Sequence, residues 1–303
     1  MRNVVRQRKP GDGTVPFFVQ WFTWPVYLVG SLAALTAAIQ GDWDRSLVAG
    51  GAVAGTALTL IVLEWRYPLK REWRMTRRAF LGRDIKYLSV NGATLALTTW
   101  ALSHMGIEMG LRRDGLAADL PLPIAITIGL LIFEFLQYWL HRISHEARGR
   151  IGGFLWRVHS AHHLPDHVYV LMHAAAHPIN TFLVRSLVTV LPLWALGFSP
   201  EAVAYMSLII GVQGVFSHTN LDIRTGWFNY ALVGTELHRS HHGAGEEDGL
   251  NFGVVTPLWD LVFGTFRYSP GAPPNRLGVG DPSAYPDSYD VAATLAFPFR
   301  QSR

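Results

Sequence analysis

The 303-residue chain contains no cysteine, which excludes disulfides, thiolate metal ligands and cysteine-bound iron–sulfur clusters or haem. Charged residues are also scarce: they make up 16% of the chain, whereas soluble domains contain about a quarter. The chain lacks a phosphate-binding loop, the HExxH motif of zinc proteases and the Glu-x-x-His pairs of carboxylate-bridged di-iron bundles. With those classes of site excluded, apolar segments and histidines remain as the informative features.

Long apolar segments explain the low charge. A bilayer-spanning helix needs about 20 apolar residues, and the segments 17–39, 47–63 and 122–140 meet this requirement. A weaker segment covers 85–105, and 179–197 with 202–217 form a possible hairpin. The sequence therefore predicts an all-α, polytopic membrane helical bundle with four to six crossings.

Basic residues are concentrated in two places, which predicts the orientation of the bundle. One group precedes the first apolar segment and the other lies within 66–86, whereas the turns near 45 and 200 carry little positive charge. Lys and Arg favour the cytoplasmic side of a membrane. We therefore expect an integral membrane protein whose N-terminus and histidine-rich metal-binding cap are cytoplasmic. The same flanking charges explain the pI near 9.5, so no nucleic-acid partner is expected.

Histidine is the most informative residue type. Eight of the 13 histidines form three sets with metal-ligand spacing: His141-x-x-x-His145, His159-x-x-His162-His163 and His238-x-x-His241-His242. Positions i, i+3 and i+4 share one face of a helix, so each set can present its imidazoles to one region. A zinc site takes three or four protein ligands, and the larger number here favours two metal ions. Imidazole binds Zn, Cu, Fe and Ni, so ligand type alone leaves the metal open.

The residues around these sets form a recognisable series of motifs. They are Tyr138-Trp-Leu-His-Arg-Ile-Ser-His-Glu146, Trp156-Arg-Val-His-Ser-Ala-His-His163, Ala176-His-Pro178, Ser217-His-Thr-Asn220, Leu237-His-Arg-Ser-His-His-Gly243, Asn251-Phe-Gly253 and Trp259-Asp-Leu-Val-Phe-Gly-Thr265. In order and spacing, the region from Glu134 to about Tyr268 resembles the fatty acid hydroxylase/sterol desaturase superfamily of integral-membrane, histidine-rich di-iron oxygenases.

This resemblance implies two Fe ions, with Zn as a substitute on overexpression, and O2 as co-substrate. It also implies a lipid substrate and an external electron donor, a reductase with ferredoxin or cytochrome. The implied metal ligands are His141, His145, His159, His162, His163, His177, His218, His238, His241 and His242. Hydroxylation and desaturation of an unactivated C–H bond both remain open. The alternatives are a zinc-dependent membrane hydrolase and a metal transporter or store.

Two carboxylates are candidates for orienting a metal-bound histidine. Glu134 lies in an apolar helix seven residues before His141, and an intramembrane carboxylate needs a partner. We expect it to accept an N–H from a metal-bound imidazole. Asp222 stands four residues after His218, near where some branches of the superfamily have a further histidine, so the resemblance leaves it open as an acceptor for a ligand's N–H or as a ligand itself. His173 has ligand spacing to His177, but is interpreted in preference as a polar residue near the cap.

The chain is interpreted as a single membrane domain, residues 1–303. Residues 1–120 would form N-terminal membrane helices, and 121–268 the catalytic, fatty acid hydroxylase-like region. Residues 269–303, rich in Pro, Gly and Asp at their start, are predicted to be an irregular C-terminal tail.

Overall fold

The structure is a computed structural model that describes residues 15–112, 114–245, 249–270 and 273–300. Within these ranges the chain is helical and has no β-strand, and an isolated β-bridge joins Gly243 to Leu277. The predicted all-α class is confirmed. The basic arm that precedes the first helix lies outside the described residues.

In the described part of the chain, eight helices of seven or more residues form the framework. They are α1 (Phe17–Gln40), α2 (Arg45–Arg66), α3 (Ile85–His104), α4 (Leu122–Glu146), α5 (Gly149–His163), α6 (Pro178–Leu196), α7 (Pro200–Ser217) and α8 (Thr235–His241). The α6 segment contains a π-helical stretch, Val184–Val190. Shorter helical elements cover Arg71–Trp73, Arg77–Ala79, Phe80–Asp84, Val170–Ala174, Gly226–Tyr230, Leu258–Phe263, Pro282–Ala284, Val291–Ala296 and Phe297–Phe299.

Local sequence signals set several helix boundaries. The Asp44 side chain accepts the N–H groups of Ser46 and Leu47 at the start of α2, and the Ser199 side chain caps α7. Such caps satisfy N–H groups that have no partner within the helix. At the C-terminal end of α4, Ala147 adopts a left-handed conformation that ends the helix.

Four of the helices, α1, α2, α4 and α6, are long and apolar enough to cross a membrane. This number lies within the predicted four to six. The other two long helices, α3 and α7, run alongside them, and α7 is largely buried. Glycines allow close packing around α7: a Cβ at Gly129 would lie 2.5 Å from Met206 Sδ, and one at Gly211 would lie 2.8 Å from Val53 Cγ2.

Successive long helices run in opposite directions, and α2, α4 and α7 all end on the same side of the bundle. This side is called here the histidine end. Backbone hydrogen bonds join this side: Leu69 N–H donates to Asn220 O, and Arg224 N–H donates to Gln20 O near the start of α1. At the opposite end, Arg45 at the start of α2 pairs with Glu201 in the first turn of α7. All three predicted histidine sets therefore lie at one side.

The C-terminal segment packs back onto the histidine end. Within the predicted irregular tail, Val291–Ala296 is a short helix, and Val291 joins a small core with Tyr87 and Ala175. Trp156 Nε1 donates a hydrogen bond to Tyr285 Oη at 2.8 Å. The expectation of an irregular tail is therefore wrong for this stretch, because a six-residue helix leaves too little periodicity to read from sequence.

Candidate metal centre

Helix ends bring nine buried or largely buried histidines into two groups. The first group contains His141, His145, His159, His163 and His241, and the second contains His162, His218, His238 and His242. Within each group the candidate ligand nitrogens lie within 4.8 Å of one another. Rings of the two groups are in contact, since His163 stacks on His242 with ring centroids 4.4 Å apart.

Each HxxHH set contributes to both groups. In α5, His159 and His163 belong to the first group and His162 to the second. In the second set the allocation is reversed: His238 and His242 belong to the second group, whereas His241 belongs to the first. The i and i+4 residues thus act as a pair, and the i+3 residue turns towards the neighbouring group.

Backbone carbonyls orient three of the rings. Nδ1 of His141 lies 2.8 Å from Phe252 O, Nδ1 of His162 lies 3.0 Å from Ala175 O, and Nδ1 of His241 lies 2.9 Å from the Leu250 carbonyl. A carbonyl can only accept, so each Nδ1 carries the proton and each Nε2 keeps its lone pair. This is the usual arrangement of a metal-bound histidine.

The Nε2 atoms point into the two groups, which fits a pair of metal ions. In the second group, His218 Nε2 lies 2.9 Å from His162 Nε2 and 2.8 Å from His238 Nε2. In the first, the buried Nε2 atoms of His141 and His159 have no hydrogen-bond partner among the described residues. Buried acceptors without partners are costly, and a cation at the common point would satisfy them. No carboxylate belongs to either group among the described residues, and all-imidazole donors suit Zn, Cu, Fe or Ni.

Burial keeps these histidines in the form that binds metal. Desolvation and the neighbouring histidines hold the pKa of His163 and of His242 well below the ordinary value. For His162, burial and then His173 lower the pKa to about 3. These side chains are neutral at physiological pH and can bind a metal without first losing a proton.

Glu134 does not contact an imidazole, so its predicted contact is wrong. Its Oε1 accepts the Val254 N–H at 2.5 Å and its Oε2 accepts the Val255 N–H at 2.9 Å. The partner of this buried carboxylate is the loop whose Phe252 carbonyl orients His141. Glu134 therefore supports the first group indirectly: it holds the loop, and the loop's Phe252 carbonyl holds the His141 ring.

Asp260 holds the same loop from the other side. Its carboxylate accepts the N–H groups of Phe252 and Gly253, each at 2.8 Å. A Cβ at Gly253 would lie 2.9 Å from Asp260 Oδ2 and 3.2 Å from Glu134 Oε1. Only glycine fits between the two carboxylates, which explains the Asn251-Phe-Gly motif.

Glu64 is a buried carboxylate whose role sequence reasoning missed. It lies near the end of α2, and its Oε1 accepts the N–H groups of Val170 at 3.0 Å and Asn220 at 2.6 Å and the Thr219 hydroxyl at 3.0 Å. These contacts fix the turn that follows His218. An acidic residue directly after the apolar segment 47–63 was the available signal.

Two predicted site residues lie outside both groups. His177 caps the first turn of α6: its Nδ1 accepts the Ile179 N–H, and its Nε2 faces Leu295 O at 3.1 Å. Asp222 accepts hydrogen bonds from Gln20 and Arg224. Both assignments are corrected, since each side chain is directed towards partners away from the histidine groups.

His173 lies beside the second group. Its Nδ1 is 2.9 Å from His218 Nδ1, and a Cβ at Gly214 would lie 3.4 Å from the His173 ring. Its interpretation as a polar residue near the cap understated this position. His104, at the end of α3, bonds to the Trp100 carbonyl and belongs to neither group.

Comparison with known proteins gives the class of this centre. Residues 126–265 match the family model for fatty acid hydroxylase, over a little less than half of the chain. All nine grouped histidines lie within this region. This region is therefore similar to the fatty acid hydroxylase family, and the resemblance predicted from the motifs is confirmed.

Individual relatives agree with this result. The chain is 30% identical over 160 residues to ornithine lipid hydroxylase OlsE of Rhizobium tropici, covering 52% of this chain and 46% of that protein. It is 26% identical to human (Homo sapiens) alkylglycerol monooxygenase over 44% of this chain and 28% of that protein. It is 24% identical to dihydroceramide fatty acyl 2-hydroxylase FAH1 of Arabidopsis thaliana, covering 56% of this chain and 69% of that protein.

The chain therefore spans less than half the length of the first two relatives. No solved structure matches it.

Proposed function

We propose that this protein is a membrane di-iron oxygenase that uses O2 and external electrons to hydroxylate or desaturate an unactivated C–H bond of a lipid. One observation carries the proposal: two adjacent, buried, all-histidine groups lie at the ends of helices able to cross a membrane. The fatty acid hydroxylase match over the same residues supports it.

Iron bound by the two groups would supply the activation of O2 and the oxidation of the substrate carbon. The first group would hold one ion and the second group the other. The protein's own part is to orient the rings and exclude water. The carbonyls of Phe252, Ala175 and Leu250 fix ring angles, and burial of His163, His241 and His242 keeps solvent away from the centre.

Electrons would come from a partner protein, a reductase with ferredoxin or cytochrome. The sequence has no flavin-, haem- or nucleotide-binding motif to supply them. The substrate would be an amphiphilic lipid, a class that includes acyl chains, sterols and amino-acid-linked lipids. The two relatives ornithine lipid hydroxylase and alkylglycerol monooxygenase support this class.

Lipid mass spectrometry of cells with and without the gene would test the proposal. We expect a lipid that gains one oxygen atom, labelled when the cells grow under 18O2, or a lipid that loses two hydrogens. Cells that express His162→Ala are the control and should lack the product. An unchanged lipid profile in cells with iron-loaded protein and a working electron donor would contradict the proposal.

The alternatives fit the structure less well. A zinc hydrolase needs a general base beside the metal, and the nearby Glu146 is paired with Arg142 at 2.8 Å. Transporter sites typically lie near the middle of the membrane on broken helices, whereas these histidines lie at helix ends.

We further propose that the histidine end faces the cytoplasm. Single cysteines can be introduced into this cysteine-free chain for accessibility labelling. Positions 75, 150 and 245 should be labelled only from the cytoplasm, whereas positions 43 and 115, at the opposite end, should be labelled from outside. Labelling of 245 from outside would overturn this orientation.

A further inference from the structure

A groove at the end opposite the histidines has no role in the proposed reaction. Its volume is about 960 Å3, at the upper end of the range of small-molecule ligand pockets. One wall is formed by small and apolar residues of α2, another by the end of α3 and by α6, and the floor by α7. The α2 residues are Ala49, Gly50, Val53, Ala54 and Ala57.

The groove has the length of one membrane leaflet. It extends along α2 from Arg45 to Ala57, which is about 18 Å at 1.5 Å per residue. Half the hydrocarbon core of a bilayer is about 15 Å thick. An acyl chain that lies along α2 would therefore fit from the membrane surface to the middle of the bilayer.

Arg185 gives the groove a positive charge for which the described residues supply no ion-pair partner. It belongs to α6, a candidate membrane span, and lines the groove. Its Nη2 donates a long hydrogen bond of 3.4 Å to Thr99 Oγ1, and among the described residues no carboxylate forms an ion pair with it. Charged residues in membrane segments are costly and usually have a functional partner.

The contact with Thr99 sets the depth of the guanidinium in the groove. Thr99 precedes Trp100, which is 60% exposed and packs against His104 at the end of α3, with ring centroids 4.3 Å apart. Exposed tryptophans mark the boundary between lipid and water. Thr99 lies five residues before the end of α3, so the guanidinium is held about 8 Å inside that end, below the mouth of the groove.

The other charged residues lining the groove lie closer to its mouth. Arg45 is neutralised by its ion pair with Glu201, and Glu108 supplies one carboxylate near the end of α3. Arg185 remains as the cation next to the apolar interior. Its planar guanidinium can donate two parallel hydrogen bonds to a phosphate, and the Ser103 hydroxyl beside the groove offers another donor.

We propose that this groove binds an anionic phospholipid, with one acyl chain along α2 and the phosphate at Arg185. The bound lipid fills the space between α2 and α3. The site lies at the opposite end of the bundle from the histidines and is independent of the metals.

Lipid titration of the purified, delipidated protein in detergent, followed by native mass spectrometry, tests this site. The probes are dioleoylphosphatidylglycerol, dioleoylphosphatidylcholine and inorganic phosphate. We expect one molecule of the phosphatidylglycerol to bind about tenfold more tightly than the phosphatidylcholine, a difference of about 1.4 kcal/mol. Inorganic phosphate should not compete at equal concentration, because it lacks the acyl chain.

Variants distinguish the contribution of the Arg185 charge to lipid binding from that of the space in the groove. Arg185→Gln should remove the preference for phosphatidylglycerol, Arg185→Lys should keep most of it, and Ala54→Phe should weaken both lipids by filling the groove. Arg112→Gln, at the same end but paired with Asp114, is the matched control and should bind as the wild type does. Metal content equal to that of the wild type shows that each variant is folded.

Three results would overturn the proposal. They are equal binding of the two lipids by the wild type, an undiminished preference for phosphatidylglycerol in Arg185→Gln, and unchanged lipid binding in Ala54→Phe.

Discussion

The two histidine groups are built alike but are supported by different parts of the chain. The first group is backed by the loop around Phe252, which Glu134 and Asp260 hold. The second is backed by the turn after His218, which Glu64 holds from α2. The first support lies inside the region that matches the fatty acid hydroxylase family, whereas Glu64 lies outside it. The N-terminal helices are therefore part of the architecture of the metal centre.

The two supports also use their carboxylates differently. Glu134 accepts one backbone N–H on each oxygen. Glu64 accepts three hydrogen bonds on Oε1 alone. A glutamine can replace a carboxylate that uses one oxygen, because its amide keeps one acceptor. A glutamine cannot replace a carboxylate that accepts on both oxygens, because its NH2 group would then face a backbone N–H, and both groups are donors.

Neighbouring histidines give the largest expected effect. His162→Ala should remove the ion of the second group and His163→Ala the ion of the first, because the two residues belong to different groups. Each variant should retain about one metal ion per chain and lose turnover. Elemental analysis with group-specific spectroscopy would measure this, and loss of the same ion from both variants would contradict the allocation.

Removing the supporting carboxylates should have the next largest effect on stability and metal retention. Glu134→Leu and Glu64→Leu should each destabilise the protein, by about 1–3 kcal/mol for every buried N–H left without an acceptor. They should weaken metal retention in the first and the second group, respectively. Thermal unfolding and metal content in detergent are the measurements.

Conservative variants sharpen the comparison of the carboxylates. Glu64→Gln should be close to wild type in both measurements, whereas Glu134→Gln should lose part of its stability. Equal losses in the two glutamine variants would show that the difference in oxygen use has no energetic consequence.

Acidification should destabilise the metal-free protein. Because burial holds the pKa of His162 at about 3, the folded state binds fewer protons than the unfolded chain between that value and about 6.5. The stabilisation is complete above this range and is lost as pH falls. For His162 alone the loss at pH 5 is about 2 kcal/mol. Thermal unfolding at pH 7.5 and pH 5 measures it, and His162→Gln should show a smaller decrease.

The smallest effects are expected for the residues that lie outside both groups. His177→Ala and Asp222→Asn should retain both metal ions, with stability within about 1 kcal/mol for the partly exposed ion pair of Asp222. Elemental analysis would check both. Loss of an ion from His177→Ala would restore His177 to the ligand set.

Much of the fold could be predicted from sequence because helix length and apolar composition are local properties. The predicted segment 17–39 corresponds to Phe17–Gln40, and 85–105 corresponds to Ile85–His104. The segment 122–140 continues as a helix to Glu146, because the histidine motif forms its last turns. Nine of the ten predicted ligands lie in the two groups, since their spacing is also local.

The ligand types, the helical spacing and the position of the histidines at helix ends were thus determined by the sequence itself. Only the tertiary structure decided that each HxxHH set is shared between the two groups. This allocation depends on the orientation of α5 and α8 about their own axes relative to the neighbouring helices. The same holds for Glu64, whose partners lie more than 100 residues away in the chain. Such contacts arise from packing between distant segments, and no spacing within the sequence records them.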